Sequence, residues 1–452
     1  MEIHPHIDLH EEKGLVIGGV PASRLAKKFG TPLYVYSEDA IVERMREYVS
    51  ALSDVYPDSA VVYAGKAYLT MRMARLAAQE GLFLDTASGG ELYIALQAGF
   101  PPQKILLHGN NKSAEELLMA VAAGIGRIVV DNLDEMDRLQ RIARKQRRVQ
   151  NVLIRLTPGI DPHTHKYLST GEISSKFGVA MHGDRHFAAV LEAERSPNLN
   201  LLGFHCHIGS QVFEVSPFIA AARTMLDFVA ALKERTGIVT RELDLGGGLG
   251  VRYTADDGNS AGDPTPASYV ADLAGEVKRR AAELSVPLPR LFVEPGRSIV
   301  AAAGVTLYTV DSVKELPNGE VVVAVDGGMA DNPRPMLYGA RYRAVPVLPG
   351  GRAELRPARV VGKHCEEGDT LIEKAELPSL RAGDLLAILV SGAYQHSMRS
   401  SYNALLNPAV VHVADKQAFV VVERQKYRDL IAKERPAPHF MAQERDRAAN
   451  AY

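Results

Sequence analysis

From about residue 37 to 302, short apolar β-rich runs alternate with stretches whose apolar positions recur at helical spacing. The runs at 61–66, 82–86, 105–108, 128–131, 152–156, 202–207, 243–245 and 291–294 read as strands. Helical patterns fill the intervals. Two helix starts carry capping-box spacing, Ser88 with Glu91 and Ser113 with Glu116. That makes about eight β/α units in roughly 260 residues, the size of a closed (β/α)8 barrel of the TIM type. A doubly wound open sheet has the same alternation and is the second architecture to weigh.

The pattern changes after residue 302. Runs at 305–310, 321–325, 344–348, 385–390, 410–413 and 418–422 read as strands between Gly- and Pro-marked turns. Few long helical patterns intervene. This predicts an all-β domain, a sandwich or small barrel, over 303–435. Strand-like pieces at 15–17 and 33–36 let the segment 1–36 join it. The stretch 436–452 is polar and charge-rich and reads as a flexible tail. No internal repeat is visible.

Polar residues gather at strand ends. Lys66 ends the first run, Asp85 falls at the end of the second, and His108 ends the third. His205 and His207 end the sixth, residues 246–248 follow the seventh, and Glu294 ends the eighth. In a (β/α)8 barrel the active site lies at the C-terminal strand ends. Core packing gives no reason to collect polar side chains there.

Each of these residues also has a plainer reading. A lysine after a strand is usually a solvated surface residue. Lys66 lies between Tyr63-Ala64-Gly65 and Ala67-Tyr68, so its surroundings look buried. Burial strips solvation from an ammonium and lowers its pKa, which suits Schiff-base chemistry. Gly246-Gly247-Gly248-Leu249-Gly250 is not a dinucleotide fingerprint: Val251 stands where the third glycine belongs, and no helix start follows until about residue 266. A turn whose amides cradle one phosphate fits, and so does a tight turn with no ligand. His205 and His207 flank Cys206, so both histidines face one way. Zinc would need His163 and His165 as well, and no Cys-x-x-Cys accompanies them; no metal is expected. Cys206 reads as a small packed residue. Cys365, among Lys363, His364, Glu366, Glu367 and Asp369, reads as an exposed thiol able to react or to donate a proton. Glu294-Pro295-Gly296-Arg297 is either a surface ion pair or a carboxylate for a cationic ring nitrogen beside a guanidinium for an anion.

Composition narrows the class. The chain has 452 residues, 46% hydrophobic and 23% charged, an ordinary globular balance with room for more than one domain. A net charge of -2 favours neither nucleic acid nor an anionic membrane as partner. The basic cluster at 141–148 lies on a helical pattern and reads as a solvated face. No apolar run approaches the ~18 residues of a membrane span, and the first residues lack a basic-then-apolar signal pattern. The two cysteines suit a reducing compartment, so a cytoplasmic protein is expected.

Read in order, the polar motifs form a series. Tyr63-Ala64-Gly65-Lys66, Ser88-Gly89-Gly90-Glu91, His108-Gly109-Asn110-Asn111-Lys112-Ser113 and Asp161-Pro162-His163-Thr164-His165 come first. Ser175-Lys176-Phe177-Gly178, His205-Cys206-His207-Ile208-Gly209-Ser210-Gln211, Asp244-Leu245 with the glycine run, and Glu294-Pro295-Gly296-Arg297 follow. The β half adds Arg334-Pro335-Met336-Leu337-Tyr338, Cys365-Glu366-Glu367-Gly368-Asp369 and Gly392-Ala393-Tyr394-Gln395-His396-Ser397-Met398. Any one is weak; together, over about residues 13–425, they resemble the diaminopimelate decarboxylases, pyridoxal-phosphate enzymes of the alanine-racemase-like fold.

The resemblance implies pyridoxal 5'-phosphate held covalently by Lys66, with His207 stacked on its ring and Glu294 bonded to the pyridine nitrogen. Asp85 and Pro295 would border the cofactor. Ser210, Gly247, Gly248, Gly296 and Tyr394 would surround the phosphate. Arg297, Arg334 and Tyr338 would hold the substrate's distal carboxylate, with Arg297 and Tyr394 touching both cofactor and substrate. Glu366 would take the distal ammonium, and Cys365 would return a proton after carbon dioxide leaves. Family members are head-to-tail homodimers, so Cys365 and Glu366 would come from the partner subunit. The implied reaction converts meso-2,6-diaminopimelate to L-lysine and carbon dioxide, the last step of lysine biosynthesis.

Two positions depart from the family pattern. Glu367 stands where serine is common, and Ala404-Leu405-Leu406-Asn407-Pro408 replaces an Arg-Pro pair after Tyr402-Asn403. Both bear on substrate choice. The alternative reading is a decarboxylase of the same fold for ornithine, lysine or a biosynthetic intermediate. A non-catalytic pyridoxal-phosphate binder is disfavoured by the presence of Lys66 and Cys365.

Overall fold

The computed structural model of the protein describes residues 2–4, 6–160, 175–258, 262–348 and 354–435. The motif at 161–165, with His163 and His165, and the tail at 436–452 lie outside the described residues. Eight parallel strands close the barrel: β1 (Ser59–Ala64), β2 (Phe83–Thr86), β3 (Ile105–Leu107), β4 (Arg127–Val130), β5 (Gln150–Thr157), β6 (Leu199–His205), β7 (Glu242–Asp244) and β8 (Arg290–Val293). β8 returns to β1 with Leu291 opposite Ser59 and Val293 opposite Val61. Closure pairs both edges and excludes the open-sheet alternative.

Alternation along the strands sorts the side chains into two cores. Val61, Tyr63, Leu84, Ile105, Ile128, Ile154 and Leu291 pack outward against the helices in the large core. Ala60, Val62, Phe83, Leu106, Val129, Leu153 and Phe292 form a separate small cluster. Arg127 and Glu242 sit beside it, their bidentate pair at 2.7 and 2.6 Å, with the Arg127 guanidinium over the Phe83 and Phe292 rings. Arg127 and Glu242 each open their strand, so their pair closes the N-terminal end of the barrel and leaves the other for chemistry.

Helix starts follow the sequence signals. The Ser113 capping box forms in full, with Glu116 N–H on Ser113 Oγ at 3.1 Å and Ser113 N–H on Glu116 Oε2 at 2.8 Å. Glu116 Oε1 also accepts from Gly89 N–H at 2.7 Å, so one carboxylate serves two helix N-termini. At Ser88 only half the box forms: Ser88 Oγ accepts from Glu91 N–H, but the Glu91 carboxylate turns to the Ala87 N–H instead.

The rest of the chain builds sheet. Gly304–Glu315 is its central strand; it pairs antiparallel with Leu33–Ser37, Val321–Val325 and Leu385–Ile388. Leu33–Ser37 in turn lies parallel to Ala409–Ala414, while the short strands between residues 2 and 21 pair among themselves in a separate four-stranded sheet. In the C-terminal half two strands escaped the pattern reading, Arg356–Val361 and Thr370–Leu377. Their pairing shifts register between Ala358 and Val360, which breaks the clean alternation that marks a half-buried strand. The 141–148 cluster runs from the last turns of the helix Leu133–Lys145 into the turn beyond it; its basic side chains are exposed, as expected, with Arg141 paired to Asp137 at 3.1 Å. Among the described residues no helix is long and apolar enough to cross a membrane.

A buried polar chain joins barrel to sheet. Tyr68 OH lies 2.8 Å from His412 Nε2, His412 Nδ1 lies 2.7 Å from Glu38 Oε1, and Arg72 forks onto Glu38 at 2.7 and 2.5 Å. Burial pushes the Glu38 carboxyl up, but the bonds from Arg72 and His412 outweigh it and hold the pKa at about 2. A carboxyl lowered from 4.5 stabilises the fold above that value and loses the contribution as pH falls toward 2. Glu38→Gln is therefore expected to cost about 2 kcal/mol at neutral pH. Thermal melts of both proteins across acid pH should show the difference closing below pH 4.5; a difference independent of pH would contradict this assignment.

Candidate active site

The C-terminal strand ends, with the short helices Arg334–Tyr338 and Gln395–Met398 of the sheet domain, enclose a cavity of about 260 Å³. Lys66, Asp85, His207, Ser210, Gly248, Glu294, Gly296, Arg297, Arg334, Tyr338 and Tyr394 all line it. Gly247 and Pro295 lie buried just behind this wall.

Lys66 follows β1 in the single turn Gly65–Ala67. Sheet-domain groups fix that turn: Tyr394 N–H donates to Ala67 O at 2.8 Å, and Ser397 Oγ donates to the same oxygen at 3.3 Å. Tyr63 OH bonds Tyr68 O at 2.6 Å from below. Its neighbours are buried as expected, but Lys66 itself is exposed into the cavity, ringed by protein yet reachable. The expected fall in its pKa does not occur. The surroundings do pull it down by desolvation, but Asp85, Tyr394 and Glu294 outweigh that and raise it.

Glu294 ends β8 at the cavity wall. His108 Nε2 lies 3.0 Å from Oε1, and His205 Nε2 lies 3.3 Å from Oε2. Burial opposes its ionisation, yet the two imidazoles hold Glu294 well below the usual carboxylate range. Desolvation holds His205 at about 3, so at neutral pH it serves as a neutral N–H donor. Asp85 and Asp244 are pushed up by burial, with Glu294 adding to the rise in both. One carboxylate thus stays ionised at the expense of its neighbours. The His108, His205 and Glu294 ligand atoms lie within 4.8 Å of one another, close enough also to hold a metal ion.

Arg297 is buried and does not pair with Glu294, which excludes the surface ion-pair reading. Its guanidinium donates to Ser210 Oγ at 3.0 and 3.2 Å and to Tyr253 OH at 2.7 Å. Arg334 is equally buried and donates to Tyr342 OH at 2.5 Å. Among the described residues neither arginine has a carboxylate within salt-bridge distance. Two buried cations bonded to hydroxyls form an anion site. Tyr394 packs its ring against Arg297, 4.7 Å from the guanidinium carbon, and holds a left-handed backbone at φ 70° that only surrounding contacts can maintain.

The glycine run has a steric cause. A Cβ on Gly247 would stand 2.0 Å from Glu294 O, and one on Gly248, at φ +132°, 2.3 Å from Gly209 O. The loop therefore needs glycine whether or not an anion binds there. It does leave Gly247 N–H pointing to His207 Nδ1 at 3.3 Å.

Cys365 and Glu366 are exposed and do not line this chain's cavity. Their loop is shaped by Asp369, which accepts from Met329 and His364 N–H, and by Asn403, which accepts from Cys365 N–H at 2.9 Å. Cys206 is packed in the core, where burial raises its thiol pKa. Sequence reading missed Arg155, Tyr253 and Tyr342. Arg155 could have been noticed as a lone charge at the end of an apolar strand; the two tyrosines carry no local signal.

These residues fit a pyridoxal phosphate. Glu294 supplies an anion whose buried Oε1 lacks an aligned hydrogen-bond donor, as a protonated ring nitrogen requires. His207 supplies a half-buried ring, Lys66 a reachable amine, and Ser210 with Arg297 a phosphate-sized donor set.

Comparison with known proteins agrees on the class. The family model for the pyridoxal-binding domain of pyridoxal-dependent decarboxylases matches residues 38–301. Diaminopimelate decarboxylase of Bacillus subtilis is 43% identical over 96% of this chain and 98% of its own length. That of Mycobacterium tuberculosis is 42% identical over 96% and 97%. The crystal structure of diaminopimelate decarboxylase from M. jannaschii with L-lysine superposes with a TM-score of 0.89 at 36% identity, covering 97% of this chain and all of that one, 100%. The chain belongs to the diaminopimelate decarboxylase family of pyridoxal-dependent decarboxylases. A lysine/ornithine decarboxylase from Vibrio vulnificus shares the fold only, with a TM-score of 0.70 at 23% identity.

If Glu294 keeps the ring nitrogen protonated, Glu294→Gln should retain bound cofactor yet lower carbon dioxide release at least about a hundredfold. Cofactor absorbance and a single-turnover assay on one sample test this. Full activity in a cofactor-loaded variant would remove Glu294 from the role.

Proposed function

We propose that the protein decarboxylates meso-2,6-diaminopimelate to L-lysine and carbon dioxide, closing lysine biosynthesis, and that it works as a cytoplasmic homodimer. The reading rests above all on Arg297 and Arg334, two buried guanidiniums without carboxylate partners that share the cofactor's cavity. A diamine precursor such as ornithine ends in an ammonium and has no use for a second buried cation; diaminopimelate ends in a carboxylate as well. The near full-length similarity to diaminopimelate decarboxylases, among them one crystallised with L-lysine, supports the same substrate. Two free thiols fit a reducing compartment.

Pyridoxal phosphate, when bound, supplies the electron sink that accepts the pair released with carbon dioxide. The chain does the rest. Lys66 would tether the cofactor through its amine. Glu294, kept ionised by His108 and His205, would hold a proton on the ring nitrogen. His207 would cover the ring. Ser210, Arg297, Tyr394 and the amides near Gly247, Gly248 and Gly296 would hold the phosphate, with Asp85 and Pro295 bordering the ring. Arg334 and Tyr338 orient the distal carboxylate with Arg297, while Glu366 of the partner subunit takes the distal ammonium. Cys365 of the partner subunit delivers a proton to the carbon that has lost carbon dioxide. The exposed position of that loop in the single chain supports delivery across a dimer interface.

Carbon dioxide release from meso-diaminopimelate, its L,L isomer, lysine and ornithine tests the substrate assignment. The meso isomer alone should turn over well, and Arg334→Ala should lower its kcat/KM by about a thousandfold. No release from a folded, cofactor-loaded protein overturns the proposal. Lys66→Ala should lose the visible band of lysine-bound cofactor. Mixing inactive Lys66→Ala and Cys365→Ser proteins should restore part of the activity if each site draws on two subunits; mixtures that stay dead refute sharing.

A further inference from the structure

Tyr253 has no role in the assignments above, yet it stands at the centre of the cation pair. It lies in the loop beyond the glycine run and is 6% exposed. Its hydroxyl accepts from Arg297 Nη1 at 2.7 Å. The Arg334 guanidinium carbon lies over its ring, 4.8 Å from the centroid. Its ring meets Tyr342 edge-on, centroids 5.2 Å apart, and Tyr342 OH accepts from Arg334. A single phenol therefore touches both guanidiniums, one through its oxygen and one through its face.

Two like charges buried side by side repel, and nothing anionic among the described residues neutralises them. Without a substitute partner they would turn apart or draw in water, and the distal carboxylate would have to reassemble them on binding. Tyr253 offers partial negative charge in two directions, an oxygen lone pair and a π face. Burial opposes its ionisation, but Arg297 and then Arg334 outweigh this and lower its pKa, a sign of how strongly the pair draws on it.

We propose that Tyr253 is a specificity-determining positioning residue: through its hydroxyl and ring it locks Arg297 and Arg334 into the arrangement that receives a substrate's distal carboxylate. It makes no bond to the reacting carbon and takes no proton in the reaction. The proposal rests on the substrate reading above.

The test uses the holoenzyme and Tyr253→Phe, which keeps the ring and removes the acceptor. Two competitive ligands are compared: 2-aminopimelate, which has the distal carboxylate, and 2-aminoheptanoate, which carries a methyl group in its place. The inhibition constant of 2-aminopimelate should rise about tenfold while that of 2-aminoheptanoate stays within about twofold. KM for meso-diaminopimelate should rise by a similar factor, with kcat falling less than about threefold. Equal weakening of both ligands, or of neither, overturns the proposal, as does a loss confined to kcat. If Tyr253→Phe fails to hold cofactor, Tyr253→Met, which likewise lacks the hydroxyl acceptor, is measured with the same outcomes. A wrong substrate reading shows itself separately, as wild-type enzyme that neither turns over meso-diaminopimelate nor binds 2-aminopimelate.

Discussion

The hydrogen bond from Tyr394 N–H to Ala67 O, 2.8 Å long, is where the two halves of the protein become one enzyme. It ties the turn that presents Lys66 to a segment more than three hundred residues away in sequence, and Ser397 reinforces it. The barrel alone supplies the amine, the carboxylate and the ring cover. Only with the sheet domain docked does the cavity gain Arg334, Tyr338 and Tyr394. The Tyr68, His412, Glu38 and Arg72 chain lies under the same turn and carries the constraint into the sheet. Docking is thus part of the chemistry, because the position of one amine depends on contacts from both domains.

Charge in the cavity is arranged as a division of labour. Asp85, His205 and Asp244 crowd Glu294 in one buried corner, and Glu294 shifts the ionisation of each. Histidines favour one carboxylate, and burial suppresses the others. Lys66 resides beside Asp85 and within reach of this field, so it stays a cation before cofactor arrives. Strand-end geometry forces the proximity, and proximity turns separate residues into a coupled set.

Much of this was legible along the chain. Period-two and helical alternation predicts the barrel, since every strand run has a counterpart among the eight observed strands. Polar residues at strand ends mark the cavity because the topology brings all those ends to one rim. The electrostatics were not legible. A local reading takes Lys66 as depressed by burial, whereas its pKa is set by carboxylates two other strands contribute. Tyr253 and Tyr342 were invisible for the same reason: their significance comes from two arginines met only in space. The strands at Arg356–Val361 and Thr370–Leu377 were hidden by a bulge that shifts their alternation.

The glycines at 247 and 248 carry a lesson for reading other chains. A methyl group at either position would collide with backbone, at Glu294 O or Gly209 O. The demand comes from how neighbouring loops cross, so it persists in any descendant that keeps the barrel, including one that no longer binds a cofactor. Such a motif is a marker of ancestry and of loop architecture. Chemistry is diagnosed by side chains the fold could spare, and Lys66, exposed in its cavity with no packing duty, is the clearest of them.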